Sequence, residues 1–209
     1  MENSQVAHKI KQRKSPRDVF ITPTELALSH IKWSLGHDVA DELSIEFNIG
    51  TKVLDPCCYS ENGSYIKILR DLNFDVDYCE ITMGKDFLEY TGREDGEDTH
   101  VIIGNPPYSF LDKWLEKSVE FEPQIISYLI GQGNLTAKRI EFMNKKGYSL
   151  TKVKMLKVYK WYGMSYLVHF QKRTEIGLEG RRRETWRTYF NSCFLMSRFI
   201  GFSSFICEL

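Results

Sequence analysis

Short apolar runs alternate with amphipathic stretches from Lys52 to Lys146, and this alternation constrains the fold more than any other feature of the chain. Lys52-Val53-Leu54-Asp55-Pro56 reads as a strand that stops at a proline. Tyr65 to Leu72 reads as a helix with Ile66, Leu69 and Leu72 inward, and Phe74 to Ile81 as a strand closing on Glu80. His100 to Gly104 is another apolar strand, and it runs straight into Asn105-Pro106-Pro107-Tyr108. Phe110 to Phe121 places Leu111, Trp114, Leu115 and Val119 on one side of a helix. Gln124 to Ile130 is a strand, and Leu135 to Lys146 a helix closed by Gly147. Strands that alternate with helices imply a mostly parallel α/β sheet covered on both faces. In such a sheet, ligands bind beyond the carboxyl ends of the strands.

Further elements flank this region. Thr22-Pro23-Thr24-Glu25 opens a helix that Thr22 or Thr24 can cap, with Leu26, Ile31, Trp33 and Leu35 buried and Gly36 at its end. Residues 38–49 read as a second short helix or irregular cover. Residues 150–159 and 165–171 alternate on either side of Trp161-Tyr162-Gly163-Met164, which predicts a hairpin. The chain thus divides into a basic flexible arm at 1–17, a folded domain at 18–173 and a tail at 174–209. Trp186 to Ile206 is aromatic-rich and lacks a clear period. It can cover the sheet, form a homodimer contact or stay partly disordered, and the residues leave these open.

Composition removes several classes. A chain of 209 residues and 24.5 kDa suits one α/β domain with a short appendage. The five cysteines (57, 58, 79, 193 and 207) are odd in number and form no C-x-x-C pair. That disfavours a disulfide framework and a zinc site, and fits a reducing, cytoplasmic setting. The N-terminus is basic rather than apolar, unlike a signal peptide. Arg187, Asn191 and Arg198 break the most apolar stretch, so no membrane partner is expected.

Net charge is zero, but the halves differ: 11 basic and 19 acidic side chains in 1–100, against 17 and 9 in 101–209. Ten basic residues lie between 138 and 173, including Lys145, Lys146 and Lys160, and only Glu141 opposes them. Tyr159, Trp161, Tyr162 and Tyr166 are interleaved. Basic groups can hold phosphates while aromatics receive an extruded base, so, taken with Asn105-Pro106-Pro107-Tyr108, a nucleic acid is the expected partner. Few residues remain after the hairpin for a groove-reading element, which implies weak sequence preference, recognition through the basic arm and tail, or help from a second subunit.

Three strand ends carry polar chemistry: Asp55-Pro56, Glu80-Ile81 and Asn105-Pro106-Pro107-Tyr108. An acid ending the second strand suits a ribose diol. An acid after the first can orient an amine-bearing ligand. Asp86 can accept from an exocyclic amine, and Phe87 can pack on a ring. In the diproline segment, two prolines remove two N–H donors and hold the preceding Asn105 extended. The Asn105 amide and the Pro106 carbonyl can then accept both protons of a planar amine, which frees its lone pair for attack on a methyl donor. Tyr108 can stack on the ring bearing that amine.

These residues resemble the S-adenosylmethionine-dependent amino-methyltransferases, especially the DNA adenine-N6 group with its Asn-Pro-Pro-Tyr motif, over about 20–173. Phe20-Ile21-Thr22-Pro23 is similar to the family's N-terminal cofactor motif, and Val53-Leu54-Asp55-Pro56 to the start of its methionine-binding loop. Glu80, followed by Ile81, matches the ribose acid, and Asp86-Phe87 the adenine-side motif. The segment 158–171 looks like the family's last hairpin, where Trp161 or Tyr162 would contact a flipped base. The resemblance implies a Rossmann-like class I methyltransferase with a seven-stranded, mostly parallel sheet, a terminal antiparallel hairpin and helices on both faces. It also implies S-adenosylmethionine as cofactor, and fits a bacterial or phage origin.

One loop departs from the pattern. Cys57-Cys58-Tyr59-Ser60-Glu61-Asn62-Gly63 holds a single, late glycine where the family has several. Asn62-Gly63 can supply the turn. The departure favours a non-catalytic nucleic-acid-binding relic as one alternative. Another is methylation of a protein glutamine amide or an RNA base amine, because the motif serves any planar amine.

Overall fold

The computed structural model describes residues 21–36, 50–158, 164–173 and 206–208 of the chain. The basic arm, the element expected at 38–49 and the tail up to residue 205 lie outside the described residues, as do Phe20, Lys160, Trp161 and Tyr162.

The elements in chain order are α1 (Thr24–Leu35), β1 (Lys52–Asp55), α2 (Ser64–Asp71), β2 (Asp75–Tyr78), β3 (Val101–Gly104) and α3 (Leu111–Glu120). After these come β4 (Ile125–Gly131), α4 (Ala137–Lys145), β5 (Tyr148–Leu156), β6 (Ser165–Lys172) and β7 (Ile206–Glu208). They form one seven-stranded sheet in the order β2-β1-β3-β4-β6-β5-β7. Neighbours from β2 to β4 are parallel, and β6 and β7 run against the rest.

The central strands are mostly apolar because both faces are covered. Alternate residues serve opposite layers. Val53, Val101, Ile103 and Ile125 pack with Ala27 and Ile31 of α1 and Ile68 and Leu69 of α2. Leu54, Ile102, Ile126 and Tyr128 pack with Leu111, Trp114 and Leu115 of α3 and Met143 of α4. On β5 a bulge between Leu150 and Lys152 shifts the register by one, and so keeps both Leu150 and Val153 against that second layer.

Some local expectations need correction. Pro23 is the N-cap of α1, with no side-chain cap; Ala27 N–H donates to the Pro23 carbonyl, and the Thr22 hydroxyl points elsewhere. Leu72 is 36% exposed rather than inward. The second strand stops at Tyr78, in register with Asp55. Its partner β1 ends there because Pro56 has no N–H to continue the ladder. The charged loop 92–98 is pinned to the sheet: Arg93 pairs with Asp75 at 2.8 Å and Asp95 at 3.0 Å, and Lys52 with Asp75, Asp95 and Glu97.

Candidate active site

After β1 the chain turns to one side to make β2, then crosses back to make β3 on the other side of β1. Connections leave in opposite directions at this point, and the crevice beyond the carboxyl ends of β1 and β3 is where such sheets hold ligands. Asp55 ends β1, and Asn105 follows the last residue of β3.

Asp55 is 1% exposed and sits against Gly104. Its Oδ1 accepts from Cys57 N–H at 3.1 Å. Burial pushes the Asp55 carboxyl up to about 7, the Cys57 N–H opposes that rise and the nearby Glu80 adds to it. An acid so placed ionises readily only beside a cation. Cys57 also ties the two strand ends together, because its thiol donates to the Asn105 carbonyl at 3.1 Å. Burial pushes the Cys57 and Cys58 thiols up, so both are neutral packing groups rather than nucleophiles.

The loop after Asp55 closes tightly despite having one glycine. Tyr59 takes the left-handed backbone position at φ 66°, and Gly63 has an ordinary φ of −56°. Gly63 is required for closeness instead: a Cβ there would stand 2.2 Å from the Cys58 carbonyl oxygen. The loop delivers Tyr59 N–H to Oε2 of Glu80 at 3.1 Å, while Oε1 accepts from Thr82 N–H at 2.9 Å and its hydroxyl at 2.6 Å. Glu80 is thereby held at the strand edge. Each carboxylate oxygen can take more than one donor. Ile81 begins the short turn that follows.

Thr22 and Pro23 reach this edge from the start of α1. Thr22 is buried, its carbonyl accepts from the Ser64 hydroxyl at 2.7 Å, and its Oγ1 accepts from Asn105 Nδ2 at 3.3 Å. Pro106 is buried and Pro107 half-buried, with φ −65° and ψ 121° leading into a turn at Tyr108–Phe110. The Tyr108 ring lies against the end of β4; a Cβ on Gly131 would stand 3.2 Å from it, so only glycine admits the ring so closely. Thr22, Asp55, Pro56, Gly63, Glu80, Asn105 and Tyr108 therefore share one end of the sheet.

Other expected residues fall elsewhere. Glu80 bridges Lys85, which leaves Asp86 one residue away, and its Oδ1 accepts from Leu88 N–H. That bond caps a turn which drives Phe87 inward. Phe87 is 1% exposed and packs on Trp114 and Phe121, so its ring belongs to the core rather than to a ligand. Lys145 and Lys146 end α4 and precede Tyr148, which pairs with Lys172. Gln171 beside it faces Ile125, the first residue of β4, so these lysines stand at the opposite edge from Asn105. The strand ends that flank the β5–β6 connection lie at the site edge: Leu156 pairs with Ser165, and Ser165 with Gly131.

Sequence reasoning missed His30 and Tyr65. Both are buried beneath the site, and burial, with Asp55 nearby, pushes the Tyr65 hydroxyl up. The available signal was a pair of polar residues, His30 and Ser34, on the inward stripe of α1 beside Ala27 and Ile31.

Among the described residues, no group of three or more His, Cys, Asp or Glu could hold a metal ion. No described helix is long and apolar enough to cross a membrane. No family model matches the chain, and no curated protein matches it. Solved structures do. The magnesium protoporphyrin IX methyltransferase ChlM from Synechocystis PCC 6803, with bound SAM, superposes with a TM-score of 0.53 at 11% identity, covering 72% of this chain and 79% of that one. The N-methyltransferase NodS from Bradyrhizobium japonicum WM9 gives a TM-score of 0.51 at 10% identity, covering 72% and 96%. The fold is the Rossmann-like class I methyltransferase fold. On this fold the diproline segment and Asp55 lie together at the switch point of the sheet.

Proposed function

We propose that this chain transfers a methyl group from S-adenosylmethionine to the N6 amine of adenine in DNA. One observation carries the reading: Asp55 and Asn105, from adjacent strands, are joined at the switch point through Cys57, which donates to both. The matched methyltransferase structures support methyl transfer on this fold, and one of them has SAM bound.

The crevice fits that cofactor by its donors and by its tightness. Asp55, a buried acid, would face the cationic methionine end. Glu80 would accept from the ribose, and Gly63 and Pro56 shape the loop between them. Thr22 borders the same edge, Phe20 and Pro23 flank it in sequence, Ile81 follows Glu80, and Asp86 follows Lys85, which bridges Glu80. When bound, the cofactor supplies an electrophilic methyl group. Asn105 Oδ1 and the Pro106 carbonyl then accept the two protons of the target amine, which leaves the nitrogen lone pair directed outward. Pro107 keeps that corner rigid, and Tyr108 offers a ring for the base. No strong base is needed, since the methylated ammonium sheds its proton to water.

DNA is favoured over other amines by the cationic side chains that the fold brings to this edge. Lys138 lies in the first turn of α4, which follows the carboxyl end of β4, and Lys157 follows β5 where the hairpin rises. Both are exposed. Trp161, Tyr162 and Lys160 lie within that hairpin connection.

Calorimetry with S-adenosylmethionine tests the first half, with binding expected; its absence at millimolar cofactor would end the reading. Transfer of tritiated methyl to DNA, RNA and protein tests the second, with label expected on DNA. Label found only on protein or only on RNA would replace the substrate.

A further inference from the structure

An amide stands beside the Tyr108 ring at the end of β4. A Cβ on Gly131 would lie 3.2 Å from Cε2 of Tyr108 and 3.3 Å from Nδ2 of Asn134, so the tyrosine ring and the asparagine amide flank one point. Both residues are half-buried, which leaves a ligand access to them. Asn134 ends the short turn Gln132–Asn134 that follows the strand. The turn is tied at its start, where Gln132 N–H donates to the Met164 carbonyl at 2.9 Å.

Arg139 holds the other end of the turn. Its Nη1 donates to the Asn134 carbonyl at 2.7 Å and to Asn134 Oδ1 at 3.2 Å, and its Nε donates to Asp112 Oδ1 at 2.6 Å. Thr136 caps α4 by accepting from Arg139 N–H at 3.4 Å, which sets the arginine in the first turn of the helix, close behind Asn134. Asp112 lies in the first turn of α3. The clamp therefore joins the two helix starts that follow β3 and β4. A guanidinium carries donors only, so the amide atom that faces Arg139 is the oxygen. Such a partner fixes which way an asparagine amide is turned. The –NH2 is left on the side of the Tyr108 ring. Arg139 belongs by sequence to the basic run of 138–173, yet its donors are used inside the fold.

We propose that Asn134 reads the target base, its Nδ2 donating to a ring nitrogen of the base that lies on Tyr108, with Arg139 and Asp112 as the positioning residues that keep the amide turned that way. The inference rests on the proposed stacking of the target base on Tyr108 at a methyl-transfer site. A flat ring lying on Tyr108 brings an edge toward the amide beside it. The free ring nitrogens of adenine, N1, N3 and N7, are all acceptors, so a donor suits any edge they present. The N1–H of a guanine at the same place would set donor against donor. Stacking alone tolerates every base, because each has a π-face. A fixed hydrogen-bond donor adds the selection that stacking lacks, since a site built around such a bond rejects a ring without the matching acceptor.

Methylation of DNA oligonucleotides that carry adenine, 1-deazaadenine, 3-deazaadenine or 7-deazaadenine tests the proposal with the full chain. Each analogue replaces one ring nitrogen by C–H and keeps the amine. Asn134→Ala removes the donor, and its response to the same analogues corrects for their differing reactivity. One analogue should lower kcat/KM about three- to tenfold more in the unmodified chain than in Asn134→Ala, as loss of a single hydrogen bond does. The other two should act equally on both proteins. Arg139→Lys keeps the charge but loses the planar fork, and should respond to the analogues as Asn134→Ala does. A fold defect slows every base alike and leaves these ratios unmoved. Equal ratios for all three analogues in the unmodified chain and Asn134→Ala therefore overturn the proposal, however slow the variant is. An unmodified chain that transfers no methyl group to adenine ends the reading of the site itself, and the proposal with it.

Discussion

Gly104 and the carboxylate of Asp55 are in direct contact across β1 and β3: a Cβ at Gly104 would stand 2.8 Å from Asp55 Oδ1 and 3.3 Å from Cδ of Pro56. The carboxylate cannot retreat freely, because Oδ1 also accepts from Cys57 N–H and the side chain is buried. Gly104→Ala should therefore lower the unfolding free energy by about 1–3 kcal/mol, the usual range for overpacking a filled interior. It should also weaken S-adenosylmethionine binding, because the displaced group is the acid proposed to face it. Denaturant titration and calorimetry read the two effects. Equal midpoints and affinities would mean that Asp55 has room to move.

Asp55 also sets a pH dependence. Its native pKa of about 7 lies above the ordinary value of 3.8, so the folded state holds a proton that the unfolded state has released between those limits. Stability must fall as pH rises through that window, and the whole cost is present above about pH 7. Asp55→Asn keeps an oxygen for Cys57 N–H and removes the charge. It should match the parent near pH 4 and exceed it near pH 8, by on the order of 2–4 kcal/mol. Cofactor affinity should rise with pH toward 7 in the parent, as the ionised form becomes available, and be weak and flat in the variant. A parent whose stability is level from pH 4 to 8 would contradict the assignment.

Much of this was legible in the chain and some was not, for identifiable reasons. Strands such as Val101–Gly104 and Ile125–Gly131 are buried on both faces and read as apolar runs, interrupted only by Ser127, so the α/β alternation and the acids and Asn105 that follow the strands were plain. Phe87 was misread because it follows Asp86 in sequence, whereas a turn capped by Asp86 sends the ring to Trp114. Lys145 and Lys146 join the basic run at 138–173 only in linear order; an antiparallel helix carries them to the far edge. His30 was invisible because its partners, Tyr65 and Ser127, lie 35 and 97 residues away. The single glycine of the loop after Asp55 suggested a damaged loop, yet a tyrosine occupies the left-handed position there.

That tyrosine is itself a test of the loop. Tyr59 holds φ 66° with its side chain 54% exposed. A residue with a bulky Cβ substituent is strained there, while asparagine visits the region routinely. Tyr59→Asn should raise stability by about 1 kcal/mol, or leave Tm a few degrees higher, while its N–H still reaches Glu80. A lower Tm would show that the half-exposed ring makes contacts that outweigh the backbone strain.

Strand direction makes a prediction about charge that the sequence count alone does not. Lys138 and Lys157 stand at the edge shared by Asp55 and Asn105, whereas Lys145 and Lys146 stand at the other. Lys145 is further occupied by an ion pair with Glu141 at 2.7 Å, and Lys146 lies over the Phe142 ring. A phosphate backbone that crosses the crevice meets the first pair and misses the second. Lys138→Gln and Lys157→Gln should each weaken DNA binding and reduce the slope of log affinity against log salt by about 0.9, one phosphate contact apiece. Lys145→Gln and Lys146→Gln should change neither. Fluorescence anisotropy with a short duplex over a salt series distinguishes the pairs. Equal effects from all four would mean that the basic residues act only as a diffuse field, and that DNA does not cross the crevice in a defined position.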